Sequence, residues 1–121
     1  MVGEERTNQR ASDYSHWHRT LPNLCYMIDF DSVEWRSDRG IVAVIETAYR
    51  YETQTLTQQL ETKKFEIKVL SEVSKTTNWK CYIVFHNENL TTFWIFQIIN
   101  DQAKWWQTIG PNEYSLFIQN L

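Results

Sequence analysis

Residues 24–35 alternate in character, with Tyr26, Ile28 and Phe30 interleaved with Met27, Asp29 and Asp31. That is the two-residue period of an extended strand. Ser37-Asp38-Arg39-Gly40 follows as a turn, its glycine free to take a positive φ. The β-branched run 41–45 then has almost no polar interruption, as in a strand buried on both faces. The two strands predict an antiparallel hairpin. Beyond it, Thr53 or Thr55 can cap a helix running to about Ser74, with Leu56, Leu60, Ile67 and Leu70 on one face. Phe65, Val69 and Val73 fall on a different face, so this helix is expected to be sandwiched or to meet a second subunit. Residues 79–85 and 92–99 read as two more strands around the polar turn His86-Asn87-Glu88-Asn89. A short aromatic and basic helix is expected over 14–20, and a terminal helix over 113–121 after Gly110-Pro111-Asn112. The order helix, strand, strand, helix, strand, strand, helix predicts an α/β fold, a small mixed β-sheet flanked by helices.

A chain of 121 residues, 42% apolar and 15% aromatic, is sized and composed for one packed domain. We place that domain at 13–121, behind a polar and flexible arm at 1–12. No apolar run has the length of a membrane span, and no secretory leader is recognisable. The expected location is the cytoplasm, or the interior of the host cell if the gene is viral. Cys25 and Cys81 are too few for a disulfide framework and read as small buried hydrophobes. The net charge of −3 gives no whole-molecule footprint for nucleic acid. A carboxylate site that holds cations would lower the charge of a small enzyme by itself.

Asp29 and Asp31 lie two apart on the first expected strand and therefore on one face. Glu46 ends the second strand after five apolar residues. Carboxylates set among Ile28, Phe30, Val44 and Ile45 are costly to bury unless their charge is compensated. Mg²⁺ or Mn²⁺ would compensate it, taking hard oxygen ligands and keeping several waters. The structural alternative is a turn-capping or arginine-paired aspartate.

The stretch Tyr26-Met27-Ile28-Asp29-Phe30-Asp31-Ser32-Val33-Glu34, followed by Ile41-Val42-Ala43-Val44-Ile45-Glu46-Thr47-Ala48, resembles the core of the PD-(D/E)XK nucleases. The likeness spans roughly residues 24–100 and implies a restriction-endonuclease-like core. It implies Asp31 as the motif aspartate, with Asp29 second in line, and Glu46 as the motif acid. It also implies the Thr47 carbonyl as a further metal ligand, and Ala48 where the family carries its lysine. That lysine normally positions the attacking water and stabilises charge on the phosphorus centre.

Three readings of Ala48 follow. A lysine there has been exchanged for alanine to disable an enzyme; or Lys63, on the apolar face of the expected helix, supplies the ammonium; or the protein is a non-catalytic relative. The resemblance implies a metal-dependent endonuclease acting on DNA, with a homodimer admitted by the two-faced helix. The alternative is a nucleic-acid- or protein-binding module retaining the fold.

Lesser candidates weigh against this background. His16 and His18 flank Trp17 without a third ligand at metal-binding spacing. Lys63, Lys64, Lys68, Lys75 and Lys80 make either a phosphate-tracking face or a solvated helix side. Trp105 and Trp106 are expected in the core or at an interface rather than stacked on bases.

Overall fold

The computed structural model describes residues 12–22 and 24–121. The expected arm at 1–12 therefore lies outside the described residues, except for Ser12. That residue opens α1, Ser12–His18.

Five strands form one mixed sheet in the order β1-β2-β3-β4-β5. They are β1 Ser32–Arg36, β2 Gly40–Tyr49, β3 Lys80–His86, β4 Phe93–Ile99 and β5 Gln102–Ile109. The first two make the expected antiparallel hairpin, turning at Gly40 with φ +77°. Two helices, α2 Leu56–Thr62 and α3 Lys64–Thr77, carry the chain across to β3, which runs parallel to β2. The strands β3, β4 and β5 then form an antiparallel meander, and α4, Pro111–Gln119, closes the described chain. The α/β class with a small mixed sheet and flanking helices is what the sequence led us to expect.

Side chains on the two faces of the sheet enter two apolar clusters. Ala43, Ile45, Tyr82, Val84, Phe93 and Ile95 pack against Phe117 of α4. Val44, Cys81, Ile83, Phe85, Phe96 and Ile98 pack against Ile67 and Leu70 of α3, with Leu56 and Leu60 of α2 at the margin. Arg36 and Arg39 donate to the carbonyls of Ile118 and Leu121, tying the C-terminal end of α4 to the first hairpin. Among the described residues, no helix is long and apolar enough to cross a membrane.

Five points of the sequence reading need correction. The strand expected from residue 24 begins only at Ser32, so Asp29 and Asp31 precede the sheet in an irregular segment instead of sharing a strand face. The helix expected to run unbroken to about Ser74 is split at Lys63, whose φ of −104° and ψ of 11° depart from helical values. Val73 joins the sheet-facing cluster, which narrows the second apolar face on which a homodimer was argued. The strand β5 was not expected at all. Cys81 is buried as expected, but Cys25 is exposed.

Candidate functional site

The capping box at Thr55 starts the geometry of the site. Its hydroxyl accepts from the Gln58 amide, and the Gln58 side chain accepts from the Thr55 amide, which fixes where α2 begins. Seven residues later α2 ends, and Lys63 serves both as its C-cap and as the N-cap of α3. The Lys63 amide closes on Leu60, while its carbonyl accepts the first bond of α3 from Ile67. The joint directs the lysine stem at the sheet, where its ammonium stands 3.9 Å from Glu46 Oε1.

Glu46 sits on the α3-facing side of β2, between Val44 and Ala48. It is 6% exposed, the one buried carboxylate among the described residues. Asp31 reaches the same place from the segment before β1. Its Oδ2 accepts from the Thr47 amide at 2.9 Å and from the Thr47 hydroxyl at 3.2 Å. The backbone of Thr47 is free to do this because β1 pairs with β2 only as far as Ser32 opposite Ile45. The loop residue thus continues the ladder with a side chain.

The two carboxyls are in hydrogen-bond contact, and their affinities for the proton diverge. Burial raises Glu46 most, the hydrogen bond and charge of Asp31 raise it further, and the charge of Glu66 adds to the effect. Lys63 acts in the opposite direction but does not prevail, so Glu46 is pushed up to about 8. For Asp31, burial is the largest influence and also raises its value. The hydrogen bonds from Glu46 and Thr47 and the charge of Lys63 together outweigh it, leaving Asp31 below its ordinary range. At neutral pH the pair therefore holds one proton, mostly on Glu46.

Of the expected site residues, the structure brings Asp31, Glu46, Thr47 and Lys63 together. Thr47, expected to offer its carbonyl, instead gives Asp31 its amide and hydroxyl. Ala48 packs against the apolar cluster that includes Phe85, with no polar partner expected of its methyl group. Asp29 is exposed in the irregular segment, two residues before Asp31. Among the described residues, no three His, Cys, Asp or Glu side chains converge as a metal-binding group.

Two neighbours were not foreseen. Glu66 acts on Glu46 by charge from the first turn of α3, and only the position of the helix break reveals it. Gln59, 3% exposed, accepts from Arg50 and from the Tyr51 amide and donates to the Tyr49 carbonyl. It locks the chain leaving β2, and a glutamine within a polar helix stretch gives no sequence signal of that role.

A carboxyl pair of this kind can exchange its shared proton for a hard cation. With two protein carboxylates, such an ion would fill its other positions with water and substrate oxygens, a common arrangement for Mg²⁺. Asp31 and Glu46 are the residues that could hold such an ion, and Lys63 brings an ammonium within 3.9 Å of Glu46. Comparisons with protein-family models, with curated proteins and with solved structures returned no match to this chain.

Proposed function

We propose that Asp31, Glu46 and Lys63 form a Mg²⁺- or Mn²⁺-dependent site that hydrolyses DNA phosphodiester bonds. On this reading the fold is a variant of the PD-(D/E)XK core in which Lys63 replaces the lysine missing at Ala48. The observation that carries it is the 3.9 Å approach of the Lys63 ammonium to a buried Glu46 already in contact with Asp31. The three ionisable groups come from three separate segments of the chain, and a lone structural ion pair does not need the third. Asp29 and the Thr47 carbonyl, which the resemblance added as metal ligands, take no part in this reading: Asp29 does not converge on the pair, and Thr47 serves Asp31 through its amide and hydroxyl.

When bound, the ion would supply Lewis acidity towards phosphate and lower the pKa of a water. The chain's own groups do the rest. Thr47 fixes the Asp31 carboxylate through two donors, which holds it in position before substrate arrives. Glu46 would serve as the second anionic ligand once its proton has passed to solvent. Lys63 is placed to donate to the attacking water or to a phosphate oxygen. Ala48 contributes no group and leaves that side of Glu46 apolar.

The decisive test is incubation of the protein with labelled duplex, branched and single-stranded DNA in Mg²⁺ or Mn²⁺. Cleavage is expected, with Lys63→Ala abolishing it while cation binding, followed by calorimetry, persists. A protein that binds neither ion and leaves every substrate intact refutes the reading. The non-catalytic binding module then takes its place, in line with the net charge of −3 and the alanine at position 48.

A further inference from the structure

We infer that Arg50 presents the Nε and Nη2 edge of its guanidinium as a fork for a phosphate of the nucleic-acid strand, one that neighbours the phosphate being cut. The inference rests on the reading of Asp31, Glu46 and Lys63 as a phosphodiester site, and names a contact that would hold the strand there.

Arg50 lies one residue beyond β2, but its amide still donates to the His86 carbonyl at 2.8 Å and so extends the ladder with β3. The alternation of the strand therefore carries through it. Val44 and Ala48 face α3, Glu46 lies between them, and Arg50 falls on that same side. Its Cζ stands 5.8 Å from the ring centroid of Trp94, which packs against the same cluster. The stretch of extended chain from Glu46 sets Arg50 about 13 Å away along that face. Nη1 donates to the carbonyls of Tyr51 and Gln54 and to Gln59 Oε1. Gln59 stands one helical turn before Lys63, the C-cap of α2, so a single helix registers both cations.

The charge of Arg50 is left without an anion. Of the described lysines and arginines, Arg36, Arg50 and Lys63 are half-buried. Arg36 pairs with Glu34 and Lys63 with Glu46. Among the described residues Arg50 has no carboxylate within ion-pair distance, and its side-chain hydrogen bonds all leave from Nη1. Nε and Nη2 both reach solvent, since no buried side-chain nitrogen or oxygen among the described residues lacks a partner. A half-buried cation is costly when nothing offsets its charge. The open edge holds two parallel N–H donors, the geometry that takes two oxygens of one phosphate. Three acceptors and the Trp94 ring already fix the side chain, so little rotamer freedom is left to lose on binding. A strand seated at Glu46 carries further phosphates, and a fork on the same face is within reach of one of them. A single contact of this kind does not call for a basic surface and is compatible with a net charge of −3.

The test is fluorescence anisotropy with a short labelled DNA strand, titrated across a series of salt concentrations. Metal-free buffer keeps the strand intact. Arg50→Met should weaken binding roughly ten- to a hundredfold. It should also lower the slope of log affinity against log salt by about 0.7 to 0.9, the share of one phosphate. Arg50→Lys should keep that slope while losing part of the affinity, because an ammonium retains the charge without the fork. The same strand with a neutral methylphosphonate backbone should bind the unaltered protein and Arg50→Met alike. Thermal melting of both variants controls for folding, and the neutral backbone tests the contact on the unaltered protein.

A salt slope that Arg50→Met leaves unchanged overturns the fork, as does a neutral backbone that binds the unaltered protein as tightly as the charged one. So does a failure of the unaltered protein to bind the strand at all. Arg50-dependent binding of inorganic phosphate, or of a glutamate-rich peptide, with strand binding indifferent to Arg50, overturns it too and assigns the fork to another anion. Mg²⁺-dependent cleavage with an unchanged salt slope in Arg50→Met would leave the catalytic reading standing and remove the fork. Arg50-dependent strand binding without cleavage would do the reverse.

Discussion

Lys63 Nζ stands 3.9 Å from Glu46 Oε1, and both side chains are more than three-quarters covered. Removing the ammonium need not strand a buried charge, since Glu46 can take up a proton. Lys63→Met should therefore cost little stability at pH 6. The penalty should grow above pH 8, while staying below the roughly 3–5 kcal/mol of a broken, fully buried pair. Urea melts of both proteins at the two pH values measure it; an equal penalty at both would mean that Glu46 stays ionised throughout.

The shifted carboxyls also set the pH dependence of the cation-free protein. Glu46 has a raised folded value, so the folded state binds more protons than the unfolded one between the ordinary carboxyl range and about 8. Its contribution is complete below that window and is lost as pH rises through it, with a slope of up to about 1.4 kcal/mol per pH unit. Asp31, with a lowered value, contributes stability that is lost as pH falls below the ordinary carboxyl range. Stability should therefore decline from mildly acidic to mildly alkaline pH, and Glu46→Gln should flatten the decline. Denaturant melts across pH 5–9 check this, and a profile unchanged by Glu46→Gln would assign the slope elsewhere.

Cation binding should run against the same proton. Mg²⁺ is expected to bind more tightly as pH rises towards 8 and to release close to one proton below it. Titration calorimetry in buffers of different ionisation enthalpy counts that proton. Glu46→Gln should abolish the effect together with most of the affinity.

Much of this site was legible in the sequence, and its failures have physical causes. Glu46 after an apolar run marked β2 and a buried carboxylate, because few contexts bury an unpaired acid. Lys63 was suspected because it interrupts the face formed by Leu56, Leu60, Ile67 and Leu70. The helix break that aims it was hidden, since Thr62-Lys63-Lys64 contains neither glycine nor proline. Asp31 was identified but assigned to a strand: alternation over 26–31 looks extended whether or not a partner strand is present. The strand β5 escaped notice because a bulge opposite Ile95 and Phe96 breaks its two-residue period. Trp105 and Trp106 turn to opposite faces of the sheet there, Trp105 against Phe96 and Trp106 against Phe117.

Restoring a lysine at position 48 distinguishes replacement from loss. Position 48 shares the face of Glu46 but lies within the apolar cluster, so Ala48→Lys should destabilise by about 1–3 kcal/mol through overpacking. In the Lys63→Ala background it should return Mg²⁺-dependent cleavage, because either ammonium can reach the same carboxylate. Removing one such donor typically costs a hundred- to a thousandfold in rate, or roughly 2.7–4 kcal/mol. Single-turnover assays of the single and double variants test the exchange; a double variant as inactive as Lys63→Ala would show that the ammonium must come from the helix joint.

Gln59 offers a control away from the chemistry. Gln59→Leu leaves the Tyr51 amide and the Tyr49 carbonyl without their side-chain partner and takes one of three acceptors from Arg50. A loss of about 1–3 kcal/mol is expected in denaturant melts, with little change in cation affinity for the folded protein.

The parallel pairing of β2 with β3 has a consequence for the order of folding. Every other pair in the sheet joins neighbours through a short turn, so the β1–β2 hairpin and the β3–β4–β5 meander can each close quickly. The β2–β3 seam must wait until residues 50–79 have been gathered into α2 and α3, and it bears the loop-closure entropy of that whole crossover. Glu46 lies on this seam opposite Ile83, and Lys63 lies on the crossover itself. Asp31 and Glu46 can therefore approach each other early, within the hairpin. The lysine arrives with the last and most non-local step, so the complete constellation exists only in chains that have finished folding.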